Sequence, residues 1–359
     1  MRSALFLSGF VSSGVRAFSA LALCTATWAQ TVAADSVPPS YEPHAVAVPK
    51  DATYVMPDGS VYIVGNDGME VMLAKFNALF TQTHPGIKFT VMLKGSSTGI
   101  GGLTAGVSAF APMGREAWPT DLSGFREVYG YLPTDVRIGY DGYTRPKHKS
   151  PPALYVNAKN PLAGLTLDQV KRIFTSGNAK GDLTHWSQLG LKGSWAKRAI
   201  HLYGPRDEGG FATSVRMSLL DKLSFAAGYE GLPKLADVVG AVAEDPYGIA
   251  LVGFFDAASA TPDVKLVPLA ANKDGPLAVP NYDTVHAGLY PFSPALHIYV
   301  NRAPGKPLDP VVKEYLRLAL SREGQAIIES EKDNDEGYVP LTAAAAVVEL
   351  AKLDDAPGK

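Results

Sequence analysis

Between Val61 and Glu116 the chain alternates apolar runs with glycine-bearing loops and helix-spaced segments, and this alternation limits the fold more than any other feature. Val61-Tyr62-Ile63-Val64 reads as a strand and Gly65-Asn66-Asp67-Gly68 as the turn that ends it. Met69, Met72, Leu73, Phe76, Leu79 and Phe80 then recur at helical spacing until His84-Pro85-Gly86 stops the helix. Phe89 to Leu93 is a second strand, and Ala109 to Met113 a third, ending at Gly114-Arg115-Glu116. Strands that alternate with helices predict a parallel sheet covered on both faces. Such sheets bind ligands beyond the carboxyl ends of their strands, where the three loops would meet.

The second loop, Lys94-Gly95-Ser96-Ser97-Thr98-Gly99, runs from a strand into a short helix carrying Leu103, Ala105 and Val107. The first amides of a helix have no intrahelical partner, and the aligned peptide dipoles place about half a positive charge there. Glycines let the backbone approach a ligand and hydroxyls add donors, so the segment predicts an anion cradle. Taken alone, the segment reads more readily as an ordinary helix start with Ser97 or Thr98 as its N-cap.

The chain has 359 residues, 46% hydrophobic and 19% charged, enough for two domains of usual size. A formal charge of −2 implies neither a nucleic acid nor a membrane surface as partner. Arg2 and Arg16 flank an early stretch, and an apolar segment from Ala17 to Ala29 follows, with small residues before Gln30 and before Asp35. This predicts a cleaved export signal over residues 1–34, too short to span a membrane, and a periplasmic destination. Cys24, the one cysteine, falls inside that signal, and Leu23 stands where a lipoprotein signal would carry a small residue. Lipid anchoring is therefore not expected, nor is any disulfide in the mature chain.

Residues 35–57, rich in Pro, Ala and Val without a clear period, predict a linker or extended arm. Arg145-Pro146-Lys147-His148-Lys149 reads as a solvated loop. Thr166 with Gln169 forms a capping-box pattern ahead of Val170, Ile173 and Phe174. Ala199 to Tyr203 is a strand leading into Gly204-Pro205-Arg206-Asp207-Glu208-Gly209-Gly210 and a helix from about Phe211. Ile249 to Gly253 and Leu296 to Val300 are further strands, Asp309-Pro310 opens a helix, and Ser321 opens the next.

Taken together, Gly95-Ser96-Ser97-Thr98, Ala111-Pro112-Met113-Gly114-Arg115-Glu116, the run from Asn160 to Phe174, and Trp186-Ser187-Gln188-Leu189-Gly190 resemble the periplasmic phosphate-binding proteins of ABC importers. Tyr299-Val300-Asn301, Pro304 to Pro310, Leu320 to Gln325 and Gly337 to Leu341 extend the resemblance over about residues 58 to 350 in the same order. The resemblance implies an α/β, two-lobed type II periplasmic binding protein fold, each lobe a mostly parallel sheet flanked by helices. It implies one lobe of 58–138 plus 290–350, a second of 139–289, and a tail of 351–359. It also implies capture of phosphate or a related oxyanion in the interlobe cleft, delivery to an inner-membrane ABC permease, a monomer, no cofactor and no catalysis. The contacts it implies are Ser96, Ser97, Thr98 and Arg115 in one lobe, supported by Asp67 and Gly68. From the other lobe come Arg206, Gly209 and Gly210. The family carries hydroxyl or acidic side chains where this chain has Gly68, Gly114, Gly209 and Phe211, and its second-lobe arginine is displaced by one position.

Two other functions fit parts of the chain. A binding-fold protein with altered anion binding could act in adhesion, sensing or secretion. Gly95-x-Ser97-x-Gly99 also matches the nucleophile elbow of serine hydrolases, with Asp283 and His286 or His297 as partners. Against the latter, only about sixty residues of the mature chain precede Ser97, and no His-Gly-Gly-Gly oxyanion motif is present. The seven histidines are scattered without a metal-ligand spacing, and no phosphate-binding Walker loop occurs.

Overall fold

The computed structural model describes residues 37–142, 151–254 and 262–354, all within one unit. The export segment with Cys24, the basic loop at 145–149 and residues 355–359 of the tail lie outside the described residues. In chain order the first elements are β1 (Val61–Gly65), α1 (Glu70–Thr83), β2 (Phe89–Leu93), α2 (Ser96–Thr104), β3 (Ala111–Met113), α3 (Pro119–Tyr129) and β4 (Thr134–Tyr140). The middle holds β5 (Pro152–Asn157), β6 (Leu165–Thr166), α4 (Leu167–Phe174), β7 (His201–Pro205), α5 (Gly210–Leu219), β8 (Tyr229–Leu232), α6 (Leu235–Glu244), β9 (Gly248–Gly253), β10 (Val264–Leu266), β11 (Leu269–Ala270) and α7 (Tyr282–His286). The chain closes with β12 (Ala295–Val300), α8 (Pro310–Leu320), α9 (Arg322–Glu329), β13 (Val339–Pro340) and α10 (Ala343–Asp354).

These strands build two principal sheets. The first runs β13-β4-β12-β3, with the parallel pair β1-β2 beside it. Two backbone bonds stitch β1 to the β3 segment, Asn66 N–H to Pro112 O at 2.9 Å and Ala109 N–H to Tyr62 O at 2.9 Å. Gly65 is required at this seam, because a Cβ there would fall 2.4 Å from Pro112 O. The second sheet runs β10-β5-β9-β7-β8.

Alternation sets the packing. In β5, Leu154 and Val156 face a core with Phe174, Trp186 and Leu251, while Ala153 and Tyr155 face another with Val238, Val242 and Val252. Residues at i and i+2 share a face, so a strand buried throughout must feed two cores. The first sheet does the same. Phe76, Phe80, Tyr315 and Leu316 cover one face, and Ile100, Leu103 and Phe125 cover the other. Each large side chain buried in this way contributes about 1.5–3 kcal/mol. Of the helix residues expected inward, Met69, Met72, Leu73, Phe76 and Phe80 are buried, and Leu79 is half-buried against the same core.

The sheets are mixed rather than uniformly parallel. β7 pairs in parallel with both β8 and β9, but β12 runs antiparallel to β3 and β4, and β5 antiparallel to β9 and β10. The reversed β12 is reached from the second sheet, and a right-handed βαβ crossover does not constrain a strand that enters from elsewhere.

Residues 37–57 are extended but not loose. Tyr41, Val46, Val48 and Tyr54 pack on the first core. Arg322 N–H donates to Pro39 O at 2.8 Å, Tyr41 N–H to Glu323 Oε2 at 2.6 Å, and Tyr54 Oη–H to Asp309 Oδ2 at 2.6 Å. Among the described residues no helix is long and apolar enough to cross a membrane.

Candidate functional site

Three loops converge at the carboxyl ends of β1, β2 and β3. Gly95, at φ +107°, turns β2 into α2 in a conformation that favours glycine. The turn places Ser96 Oγ where it accepts from Asn66 Nδ2 at 2.8 Å and from Gly114 N–H at 3.0 Å, so one hydroxyl joins all three loops. Gly114 makes room for this: a Cβ at that position would stand 3.2 Å from Asn66 Nδ2. Ser96 is thus first a structural acceptor, with only its own hydroxyl proton left to give.

The neighbouring residues take different parts. Thr98 Oγ1 donates to Gly95 O at 2.8 Å, with Gly65 O at 3.3 Å, so its hydroxyl is committed to the backbone. Its side chain lines a separate groove with Tyr54, Val64 and Met92. Ser97 is exposed, and its side chain makes no hydrogen bond among the described residues. Asp67 is exposed and Gly68 half-buried in the short 3-10 turn Asp67–Met69 that precedes α1.

Arg115 is largely buried, with 13% of its side chain exposed. Nη1 donates to Asp121 Oδ2 at 2.8 Å and to Glu116 O at 2.9 Å, and the guanidinium lies 3.9 Å over the Trp118 ring. The partner is therefore Asp121, which also accepts from Trp118 N–H at the start of α3, rather than the adjacent Glu116 carboxylate. Nη2 is buried without a partner among the described residues.

On the second sheet, β7 runs into the loop ahead of α5. Arg206 is exposed and its side chain makes no hydrogen bond among the described residues. Gly209 is the N-cap of α5 and Gly210 its first residue. Asp207, a candidate to cap these amides, instead faces Arg216 of the same helix at 3.4 Å. Among the described residues, the N–H groups of Gly210, Phe211 and Ala212 have no hydrogen-bond partner, nor do those of Asp67, Gly68, Ser96 and Ser97. Elsewhere the starts of α4, α7, α8 and α9 are satisfied by Thr166, Asn281, Asp309 and Ser321 side chains. The start of α6, at Lys234, also lacks a side-chain cap.

A cavity of about 670 Å³ opens between the two sheets. Gly114 and Arg115 form part of one wall and Phe211 of α5 part of the other. Of the site residues expected from sequence, the cavity wall therefore takes in Arg115; Asp67, Gly68, Ser96, Ser97, Thr98, Arg206, Gly209 and Gly210 are not part of it. The wall also includes residues that sequence reading missed as binding groups, above all His297 and Asp135. His297 Nδ1 lies 2.8 Å from Asp135 Oδ1, its side chain is 7% exposed, and its ring stacks on Tyr299. Burial, and then the Asp135 charge, push the Tyr299 phenol well above its usual range, so it stays neutral.

The hydrolase arrangement is not assembled. Among the described residues Ser97 has no histidine partner, His286 Nδ1 faces Pro340 O at 2.9 Å, and His297 is engaged with Asp135. A serine nucleophile needs a base within hydrogen-bond reach.

Two α/β sheets with separate cores, facing each other across a cleft, define a two-lobed ligand-binding protein. The chain belongs to the PBP superfamily: the family model described as PBP superfamily domain matches residues 56–323. It is 31% identical over 347 residues to "Phosphate-binding protein PstS" of Pseudomonas aeruginosa, an alignment that covers 96% of each chain. The crystal structure of PstS from Borrelia burgdorferi shares the fold, with a TM-score of 0.52 at 17% identity over 79% of this chain and 99% of that one.

Proposed function

We propose that this protein is an extracytoplasmic solute-binding protein that captures phosphate or a related oxyanion in its cleft and delivers it to an ABC permease, without catalysing a reaction. The observation that carries the reading is the set of unpartnered N–H groups at the starts of α2 and α5 and in the turn before α1, together with the unpartnered Nη2 of Arg115. Donors left over at helix starts suit an anion, because the peptide dipoles add positive charge where the N–H groups point. The 31% identity to a phosphate-binding protein over nearly the whole chain supports the same ligand class.

In this reading Ser96, Ser97, Gly209 and Gly210 contribute backbone amides, Ser97 adds its free hydroxyl, and Arg115 supplies charge through Nη2. Gly68 and Asp67 border the site, and Arg206 reaches the anion from the second lobe. Thr98 supports the loop rather than the ligand. Residues 58–138 with 290–350 and residues 139–289 form the lobes, which close on the anion by a hinge motion. Export to the periplasm, action as a monomer and hand-over to a membrane permease complete the proposal. Calorimetry of the purified protein against phosphate, arsenate and sulfate tests it: saturable binding of at least one oxyanion is expected, and no binding of any of them overturns it.

A further inference from the structure

The cleft is larger than an oxyanion needs, and its surplus has a direction. Phe211, Ser214, Val215, Ser218 and Leu219 line the cavity at positions i, i+3, i+4, i+7 and i+8, one face of α5. At 1.5 Å per residue this stripe runs about 12 Å from the helix start. Phe211, the first of these residues, is the second residue of the helix, so an anion bound at the helix start would adjoin this end of the stripe. Phe211 places an aromatic ring beside the start rather than a donor.

The rest of the wall is polar in a specific way. His297 is more than nine-tenths buried, Asp135 occupies its Nδ1 side, and Nε2 has no partner among the described residues. With Nδ1 turned to Asp135, Nε2 is the ring's remaining hydrogen-bonding atom, and as acceptor or as donor it can pair with a hydroxyl. Ser293, on the same wall, has a buried Oγ without a partner among the described residues. Buried polar groups left without partners are costly unless a ligand or water satisfies them. His297 and Asp135 stand on β12 and β4 of the first sheet, and Pro152 on β5 of the second. β4 of the first sheet and β5 of the second are consecutive strands, so these residues stand near a crossing between the sheets, the part that a hinge motion would displace least.

We infer that the physiological ligand is a small hydroxylated phosphate monoester, of the polyol-phosphate or sugar-phosphate class, rather than the bare ion. Its phosphoryl group sits at Arg115 and the start of α5, its carbon chain lies along Phe211 and Val215, and its hydroxyls meet His297 and Ser293. A cavity of about 670 Å³ falls within the size range of small-molecule sites, about 300–1,000 Å³. The inference rests on the oxyanion reading of the same cleft.

Calorimetry with inorganic phosphate, glycerol 3-phosphate and glucose 6-phosphate, run on the purified protein and on Ser218→Phe, tests it. At least one ester is expected to bind about tenfold or more tightly than phosphate. Ser218→Phe, which fills the stripe away from the anion end, is expected to lose that preference while binding phosphate within about twofold of the parent. Ser214→Leu, a milder filling, is expected to act in the same direction. Phosphate binding at least as tight as either ester, or an ester preference that survives both fillings, overturns the inference and leaves the oxyanion reading standing. Silence toward all three ligands overturns both.

Discussion

Asn66 Nδ2 and Ser96 Oγ stand 2.8 Å apart, and the N–H of Gly114 reaches the same oxygen from a third loop at 3.0 Å. One acceptor therefore ties three chain segments together at a single point. Ser96→Ala strands both donors in a half-buried position. Leaving buried partners unsatisfied costs about 1–3 kcal/mol. Urea unfolding is expected to show a lowered midpoint with an unchanged slope, and oxyanion affinity is expected to fall with it. A variant with the parent's midpoint and affinity would remove Ser96 from both roles.

Arg115 divides its donors. Nη1 is spent on Asp121 and the Glu116 carbonyl, whereas Nη2 has no partner among the described residues. A hydrogen bond to a charged ligand contributes about 1.5–3 kcal/mol. Arg115→Ala is therefore expected to weaken oxyanion binding by about tenfold to a hundredfold in calorimetry. Arg115→Lys is expected to recover little, since an ammonium cannot both bond Asp121 in the same plane and present a second donor beyond it. Full recovery in the lysine variant would show that charge alone matters there.

Phe80 ties α1 to its surroundings. Its ring stacks on His84 at 4.2 Å and meets Phe89 at 5.4 Å and Tyr315 at 5.6 Å, with no exposure to solvent. Phe80→Ala removes this volume from between two helices and a strand that cannot all collapse into the gap. Thermal and urea unfolding are expected to report a loss of about 3–5 kcal/mol. A loss below about 1 kcal/mol would mean that the site relaxes freely.

Local signals in the sequence carried furthest. Thr166 and Gln169 make the reciprocal capping bonds their spacing implies, Asp309 caps α8 through two N–H groups, and Ser321 caps α9. Each of these depends on residues within four positions, where backbone geometry decides the outcome. The run from Ile249 to Gly253, which lies within β9, was legible as a strand for the same reason. Strand direction was less so, because β12 joins β3 and β4 from far along the chain. The arm at 37–57 has no period to read, and its anchors, such as Tyr41 on Glu323, lie 282 residues apart. In the site, Ser96 and Arg115 were visible as hydroxyl and cation. Asn66, which shares the Ser96 hydroxyl, was not, although the glycine at 114 leaves room for its amide. His297 and Asp135 are 162 residues apart, and no sequence spacing brings them together.

The arm is held partly by charge, which gives it a pH dependence of known sign. Burial alone would raise the Glu323 carboxyl, but the Tyr41 N–H, its own helix-start amide and the Arg322 guanidinium outweigh that and hold it below the usual glutamate value. A carboxyl depressed in the folded state binds its proton more readily when unfolded. Its stabilising contribution is therefore complete above the ordinary glutamate value of about 4.3 and is lost as pH falls through the lower folded value. Glu323→Gln removes the charge while keeping an acceptor for Tyr41 N–H. The parent is expected to melt above the variant at about pH 6, and the gap is expected to close as pH drops toward about 3. A gap that stays constant over that range would show that packing and the neutral hydrogen bond, not the carboxylate charge, hold the arm against α9.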